Sequence, residues 1–396
     1  MSNLKIFTDL VEPEAVNQIH NLIEQPAFQD CKVRIMPDVH AGAGCVIGFT
    51  ADLGDKVIPN IVGVDIGCGM FTVNLGNMDI DFDKLDATIR AKIPSGKNVY
   101  GDNCPDYTRH FAEEIIMKLN CRDYLRNMDW LKKSMGTLGG GNHFIEVDTD
   151  DSGNKYLIIH SGSRNLGKQV ADIYQKVAIE RLYSDKQERA KLIEKLKNEG
   201  REKEIQSALA AFTFKHNNKP PKDLCYLDGK DRDNYLFDMR LCQEFAIKNR
   251  EYIARRICIG MGWKFNDSFH TVHNYIDDNN IVRKGAISAK LNETVLIPIN
   301  MRDGCILGIG KGNEDWNYSA PHGAGRLMSR NKAKEELSLE EYQNTMSGIY
   351  TTSVDTSTLD EAPMAYKPIE SIVENIKDTV EIIKILKPIY NFKASE

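Results

Sequence analysis

The sequence of 396 residues has no apolar run approaching the roughly 20 residues that a membrane-spanning helix needs. Its first positions, Met1–Leu10, alternate polar and apolar residues instead of opening on the apolar stretch of a secretory leader. None of its nine cysteines forms a C-x-x-C pair. An odd cysteine count without a leader points to reduced thiols and a cytoplasmic location rather than a disulfide framework. Neither H-E-x-x-H nor G-x-S-x-G occurs, which removes the common zinc-protease and serine-hydrolase readings. Basic residues are in the minority, 51 against 57 acidic ones, for a formal net charge of -6. That balance argues against a surface that coats nucleic acid or anionic membrane throughout, while leaving room for a local basic groove.

What is present fits a globular protein with a sizeable core: 41% hydrophobic and 27% charged residues. β-branched residues between closely spaced glycines predict strands at Val33–Met36, Cys45–Phe49, Ile61–Val64 and Met70–Leu75, then at Phe144–Val147 and Tyr156–His160. From about residue 168 to 257, apolar residues recur at helical spacing among many charges, as in Val170–Leu182 and Glu188–Ala211. A polar, proline-bearing stretch at Lys215–Asp233 is expected as a loop. Strands are expected again at Val282–Leu291, Thr294–Ile299 and Cys305–Ile309, and helical periodicity at Ile369–Leu386. The expectation is an α+β protein, a single catalytic domain over residues 1–396. Its mixed β-sheet body is surrounded by helices and interrupted by a mostly helical excursion at about 168–257. A monomer is the default for this size.

Five short segments join glycine or a strand end to ligand-type side chains. They are Val62–Gly69 with Asp65 and Cys68, Gly139–Glu146 with His143, Ile158–Arg164 with His160, Val272–Tyr275 with His273, and Ser319–Arg326 with His322. Glycine lets backbone crowd a ligand. Aspartate, cysteine and several histidines together suit Mn or Zn better than Mg or Ca. A single histidine in a strand is more often a hydrogen-bonded core residue, and a single cysteine a small hydrophobe. Five such segments in one chain favour a site. His20, His110, His216 and His270 read as surface or packing residues, and His40 as support behind the ligands. Gly162–Gln169 nearly fits a phosphate-cradling loop, but Gln169 stands where Ser or Thr must hold Mg2+. An anion could still meet Arg164 and the amides of the next helix.

In this order the segments closely resemble the RtcB-type RNA ligase family. The most specific matches are Asp65–Gly69, Gly141–Glu146, His160–Arg164 and His322–Arg330. The resemblance runs from Met36 to Lys393, and the helical excursion matches only in kind and order. It implies a GTP-dependent ligase that joins RNA 2′,3′-cyclic phosphate or 3′-phosphate ends to 5′-hydroxyl ends, in RNA repair or tRNA splicing. Two Mn2+ ions would be held by Asp65, Cys68, His143, His160 and His273, with the Cys68 thiolate bridging. His322 would be the nucleophile that takes GMP from GTP. The nucleotide would be contacted by Asn142, His143, Phe144, Ile145 and Glu146, by His273 and Asn274, and by Pro298, Ile299, Asn300, Met301 and Cys305. Contacts from His322, Gly323, Ala324, Gly325 and Lys393 would complete the set. Arg164, Arg326 and Arg330 would meet RNA phosphate, their guanidinium groups matching phosphate geometry.

The chain departs from the family pattern after its Ile-Pro pair, where Asn300 and Cys305 replace two serines and Arg302 adds a charge. A thiol is a weak donor, so one lost contact costs about 1 kcal/mol. This departure motivates two other expectations. One is a metal phosphoesterase that opens cyclic phosphates without ligating. The other is an RNA-end-binding repair accessory without turnover. Between Trp316 and Lys334 there is no acidic residue, so a small groove for RNA ends with a modest salt slope is expected.

Overall fold

The computed structural model describes residues 3–42, 44–184, 186–211, 219–264 and 267–394. His216 and the 215–218 part of the expected loop lie outside them. The architecture is α+β, as expected. The principal sheet runs in the order Thr294–Asn300, Gly304–Gly310, Val380–Lys393, Phe144–Thr149, Asn154–Ser161, Gly69–Asn77, Ser268–Val272, with Tyr350–Thr351 added parallel to Val380–Lys393. Its other neighbours are antiparallel. The two ends of the sheet approach each other, where Leu296 N donates to Thr271 Oγ1 at 3.3 Å, so the sheet nearly closes into a barrel.

Strand periodicity sorts the residues between two faces. Phe71, Val73, Ile145, Val147, Leu157 and Ile159 form one core with Leu85 and Ile89 of the helix Phe82–Lys92 and with Ile253, Ala254 and Ile257 of the helix Gly229–Met261. Burying each such aliphatic side chain stabilises by roughly 1.5–3 kcal/mol. The opposite face carries a second cluster, Met70, Phe144, Tyr156, Ile158, Leu296, Cys305 and Leu386, drawn from six strands. A smaller sheet, ordered Asn3–Ile6, Lys32–His40, Ile47–Asp52, Ile281–Lys284, Asn274–Ile276, flanks the site.

The helical segment contains Arg164–Tyr183, Lys186–Asn198, Ile205–Ala211 and the 33-residue helix Gly229–Met261. The last helix begins inside the stretch expected as loop and stops at Gly262, which takes the left-handed conformation that favours glycine. Two elements differ in kind from the sequence expectation. Pro59–Val62 is a short helix rather than the start of a strand, because Pro59 occupies the first helical position, where its missing N–H costs nothing. Ile369–Leu386 is a short helix, Ile369–Asn375, followed by the central strand Val380–Lys393. Among the described residues no helix is long and apolar enough to cross a membrane.

Candidate metal and nucleotide site

Four strand ends and two loops converge at one end of the near-barrel. Asp65 and Cys68 lie on the loop between Pro59–Val62 and Gly69–Asn77, where Cys68 N donates to Asp65 O. Gly67 has a positive φ of 73°, and any side chain there would run into Gln243 of the long helix. His143 precedes Phe144–Thr149, and His160 lies on Asn154–Ser161 opposite Phe144. His273 joins two short strands, its N–H donating to Cys68 O at 2.9 Å.

The long helix holds these loops in place. The fully buried Arg250 donates to Gly67 O at 2.8 Å and Ser161 O at 2.7 Å. Its neighbour Asn249 accepts from Gly136 N and donates to Gly162 O. Burial lowers the Arg250 pKa to about 10, against the opposing pull of Cys68 and Asp65.

Cys68 Sγ lies 3.2 Å from His160 Nε2 and 3.5 Å from His143 Nε2, and His143 Nε2 lies 2.9 Å from Asp65 Oδ2. The other ring nitrogens are tied to backbone carbonyls, His143 Nδ1 to Leu138 O and His160 Nδ1 to Asn142 O, each at 3.0 Å. Those carbonyls can only accept, so the Nδ1 atoms carry the protons and each Nε2 presents a lone pair inward. Burial pushes the His160 and His273 pKa values well down, which keeps both rings neutral. Burial also pushes the Cys68 thiol well up, with Asp65 adding to the effect. For Asp65, burial is outweighed by His143 and Arg164, and its pKa is lowered. Among the described residues, no hydrogen-bond donor reaches the buried Asp65 Oδ1. Gly162 faces it so closely that a Cβ would overlap it. An orphaned carboxylate oxygen, two inward imidazole lone pairs and one thiol form a donor set that fits a soft-to-borderline divalent cation.

His322 lies beyond His273, with ring centroids 4.8 Å apart, and His273 lies 5.2 Å from His160. Its Nδ1 faces Asp38 Oδ2 at 2.6 Å, and the same oxygen accepts from His322 N at 3.0 Å and Gly323 N at 3.2 Å. Asp38 is fully buried on the strand Lys32–His40, whose Pro37 and Val39 carbonyls are held by Lys367 Nζ. Nothing in the local motif singles out Asp38 above His40, because its partner is 284 residues away. His40 Nδ1 faces Asp38 O at 2.8 Å, and burial lowers its pKa to about 4.

Beside His322 and His160 opens a cavity of about 520 Å³. Of the residues expected around a nucleotide, Asn142, Phe144, Glu146, Pro298–Met301, His322–Gly325 and Lys393 line it. His143, Ile145, His273, Asn274 and Cys305 do not. Ile145 points to the opposite face of the sheet, into the core with Val147. Asn274 braces the loop, donating to Asp65 O and accepting from Gly285 N. Asn300 caps its own turn, accepting from Arg302 N and Asp303 N. Cys305 lies behind Glu146, at 3.7 Å from Oε1.

The three arginines are all engaged. Arg164 donates to Thr137 Oγ1 and Gly96 O, and the Gly162–Gln169 stretch is already helical from Arg164 rather than a phosphate-cradling loop. Arg326 and Arg330 line the cavity and pair with Glu361, Arg330 also with Asp360. Lys393 Nζ binds Glu361 as well. Glu361 is buried, yet Lys393 and Arg330 hold its pKa at about 2. Asn391, Asp360 and Glu361 carry no sequence signal of their own; only the fold brings them here. His270 stacks on Phe71 at 4.3 Å, a packing role.

The family model described as tRNA-splicing ligase RtcB matches residues 18–394. RNA-splicing ligase RtcB of Escherichia coli K12 is 28% identical over 420 residues, covering 97% of this chain and 95% of its own length. The tRNA-splicing ligase RtcB of Nanoarchaeum equitans is 27% identical over 461 residues, covering 93% of this chain and 89% of its own.

Proposed function

Since the chain belongs to the RtcB tRNA-splicing ligase family, we propose that it is a GTP-dependent RNA ligase joining 2′,3′-cyclic phosphate or 3′-phosphate ends to 5′-hydroxyl ends through GMP carried on His322. The observation that carries this reading is the Asp38–His322 pair at the rim of the histidine–cysteine cluster. With Nδ1 donating to Asp38, the lone pair of His322 is on Nε2. That nitrogen attacks the α-phosphorus of GTP, the Nε2–P bond forms, and the bond to the bridging oxygen breaks to release pyrophosphate. Asp38 stabilises the cationic ring that results, the role an aspartate plays behind other reactive histidines.

Asp65, Cys68, His143, His160 and His273 are the residues that would hold two Mn2+ ions. When bound, such ions neutralise phosphate charge and favour the Cys68 thiolate. Glu146 at the cavity wall offers an acceptor to the guanine edge, and Lys393 a cation near it. A cyclic phosphate is first opened by water to a 3′-phosphate. From the histidine, GMP passes to the RNA 3′-phosphate, and attack by the 5′-hydroxyl on that phosphorus then expels GMP. The physiological setting is RNA repair or tRNA splicing.

Incubation with radiolabelled GTP and Mn2+ should give a protein-bound GMP, and His322→Ala should abolish it without unfolding the chain. A wild-type protein that binds metal but forms no adduct rules the proposal out. A cleaved stem-loop with matched ends should then be sealed; hydrolysis to a 3′-phosphate without sealing would leave only phosphoesterase chemistry.

A further inference from the structure

Behind the carboxylate that faces the cavity lies a second, deeper one. Glu146 and Asp148 are two residues apart on the strand Phe144–Thr149 and project from the same face of the sheet. Both are buried, and one ligand-type atom from each of Glu146, Asp148 and Cys305 lies within 4.8 Å of the others. Burial raises the Glu146 pKa, but polar company opposes it: Asn391 Nδ2 donates to its Oε2 at 2.5 Å, and Lys393 lies close enough to favour its charge. Asp148 has none of this. It is paired across the strands with Tyr156 and Pro388, on the face that carries Ile158, Leu296, Cys305 and Leu386.

Among the described residues, neither carboxyl oxygen of Asp148 accepts a hydrogen bond. The titratable groups packed around it among the described residues offer no cation. Its own strand contributes Glu146, and the strand Gly304–Gly310 contributes Cys305. The strand Asn154–Ser161 contributes Tyr156, whose hydroxyl is turned to Asp150. On the strand Val380–Lys393, Lys384 is bound to Asp150 and Lys393 to Glu361. Two carboxylates this close in an apolar setting cannot both be ionised. Burial and the adjacent Glu146 both drive the Asp148 pKa well up. A proton on Asp148 also gives one of these oxygens a bond to make, because a carboxylic acid is a donor.

We propose that Asp148 is a neutral carboxylic acid that donates a hydrogen bond to Glu146 and fixes the ionised Glu146 carboxylate for reading the guanine edge. The second half of this inference rests on the nucleotide reading of the cavity given above. Guanine offers N1–H and a 2-amino group to a carboxylate, whereas adenine offers an acceptor at N1 that a carboxylate repels. A carboxylate free to rotate, or one that takes up the proton itself, loses that distinction. Asp148 is thus a positioning residue: it touches no nucleotide and sets base choice through Glu146.

Infrared difference spectra of the full chain, wild type against Asp148→Asn, test the proton directly and need no nucleotide. A protonated-carboxyl C=O stretch at neutral pH, absent in the variant, is expected. If the wild type lacks that band, the proposal falls whatever the cavity binds. Asp148→Leu suits the apolar surroundings and should keep its melting temperature. It should raise the GTP concentration needed for half-maximal adduct formation roughly tenfold, and shrink the preference for GTP over ATP by a similar factor. Asp148→Asn retains a donor and should recover most of that loss. Equal loss in both variants, or no loss in the leucine variant, overturns the positioning role. A wild-type protein that forms no adduct at all strikes instead at the nucleotide reading, and the infrared band then still decides whether the carboxyl pair holds a proton.

Discussion

Replacing Asp38 by asparagine tests whether one carboxylate selects the reactive nitrogen of His322. In the wild type Oδ2 accepts from His322 Nδ1 at 2.6 Å and from two backbone N–H groups at 3.0 and 3.2 Å. The asparagine carbonyl can still accept these bonds, so the fold should persist with little change in melting temperature. What disappears is the negative charge facing the ring at the moment attack makes it cationic. Hydrogen bonds to charged groups contribute about 1.5–3 kcal/mol against about 1 kcal/mol for neutral ones. The difference of about 0.5–2 kcal/mol in the transition state corresponds to adduct formation roughly 2–30-fold slower. Asp38→Ala should go further, because it frees the tautomer and leaves two buried N–H groups without an acceptor, each costing about 1–3 kcal/mol of stability. The assay is single-turnover transfer of label from GTP at saturating Mn2+, with phosphorus NMR of the adduct to identify the bonded nitrogen. An adduct on Nδ1, or a wild-type rate in Asp38→Asn, would refute the reasoning.

Other perturbations separate the candidate metal cluster from its supports. Gly162→Ala places a methyl group against Asp65 Oδ1, so calorimetric titration should show Mn2+ affinity reduced roughly 10–100-fold, with folding little affected. Unchanged affinity would remove Asp65 from the ligand set. Arg250→Met leaves the Gly67 and Ser161 carbonyls without their buried donor. Urea unfolding should show a loss of about 2–5 kcal/mol, and metal affinity should weaken with it. Glu361, held at about 2 against an ordinary 4.5, contributes stability that is present above about 4.5 and lost as the pH falls toward 2. Glu361→Gln should melt lower at neutral pH and lose the pH dependence in that window. His40 works the other way round as a base lowered from 6.5 to about 4: the unfolded chain takes up its proton first, so stability falls as the pH drops between those values. His40→Gln should flatten that part of the melting profile.

The residues of the cluster were legible because each is flanked by glycine or ends a strand, and such punctuation is local. Cys68, His143 and His160 do come together, with Asp65 and His273 alongside. Asp38 was not legible as the partner of His322, since that pairing exists only after the strand Lys32–His40 is laid beside the segment after Ser319–Pro321. The same holds for Glu361, which gathers Arg326, Arg330 and Lys393 from distant parts of the chain. Arginines beside a predicted nucleophile suggest free phosphate partners, and composition alone cannot reveal that acids elsewhere engage them. The misjudged terminal segment has a different cause. In Val380–Leu386 apolar residues satisfy both helical and alternating spacing, and the choice was made by unpaired neighbours on either side rather than by local propensity.

That terminal strand occupies the middle of the principal sheet, between Gly304–Gly310 and Phe144–Thr149. During synthesis both of those neighbours leave the ribosome well before it, each holding out a bare row of amide and carbonyl groups. A nascent chain therefore carries a slot with two sticky edges, the kind of surface that recruits other chains. The strand that fills the slot also delivers Asn391 and Lys393 to the cavity wall. Closure against misassembly and completion of the cavity are one event, so a partly made chain cannot offer a finished cavity.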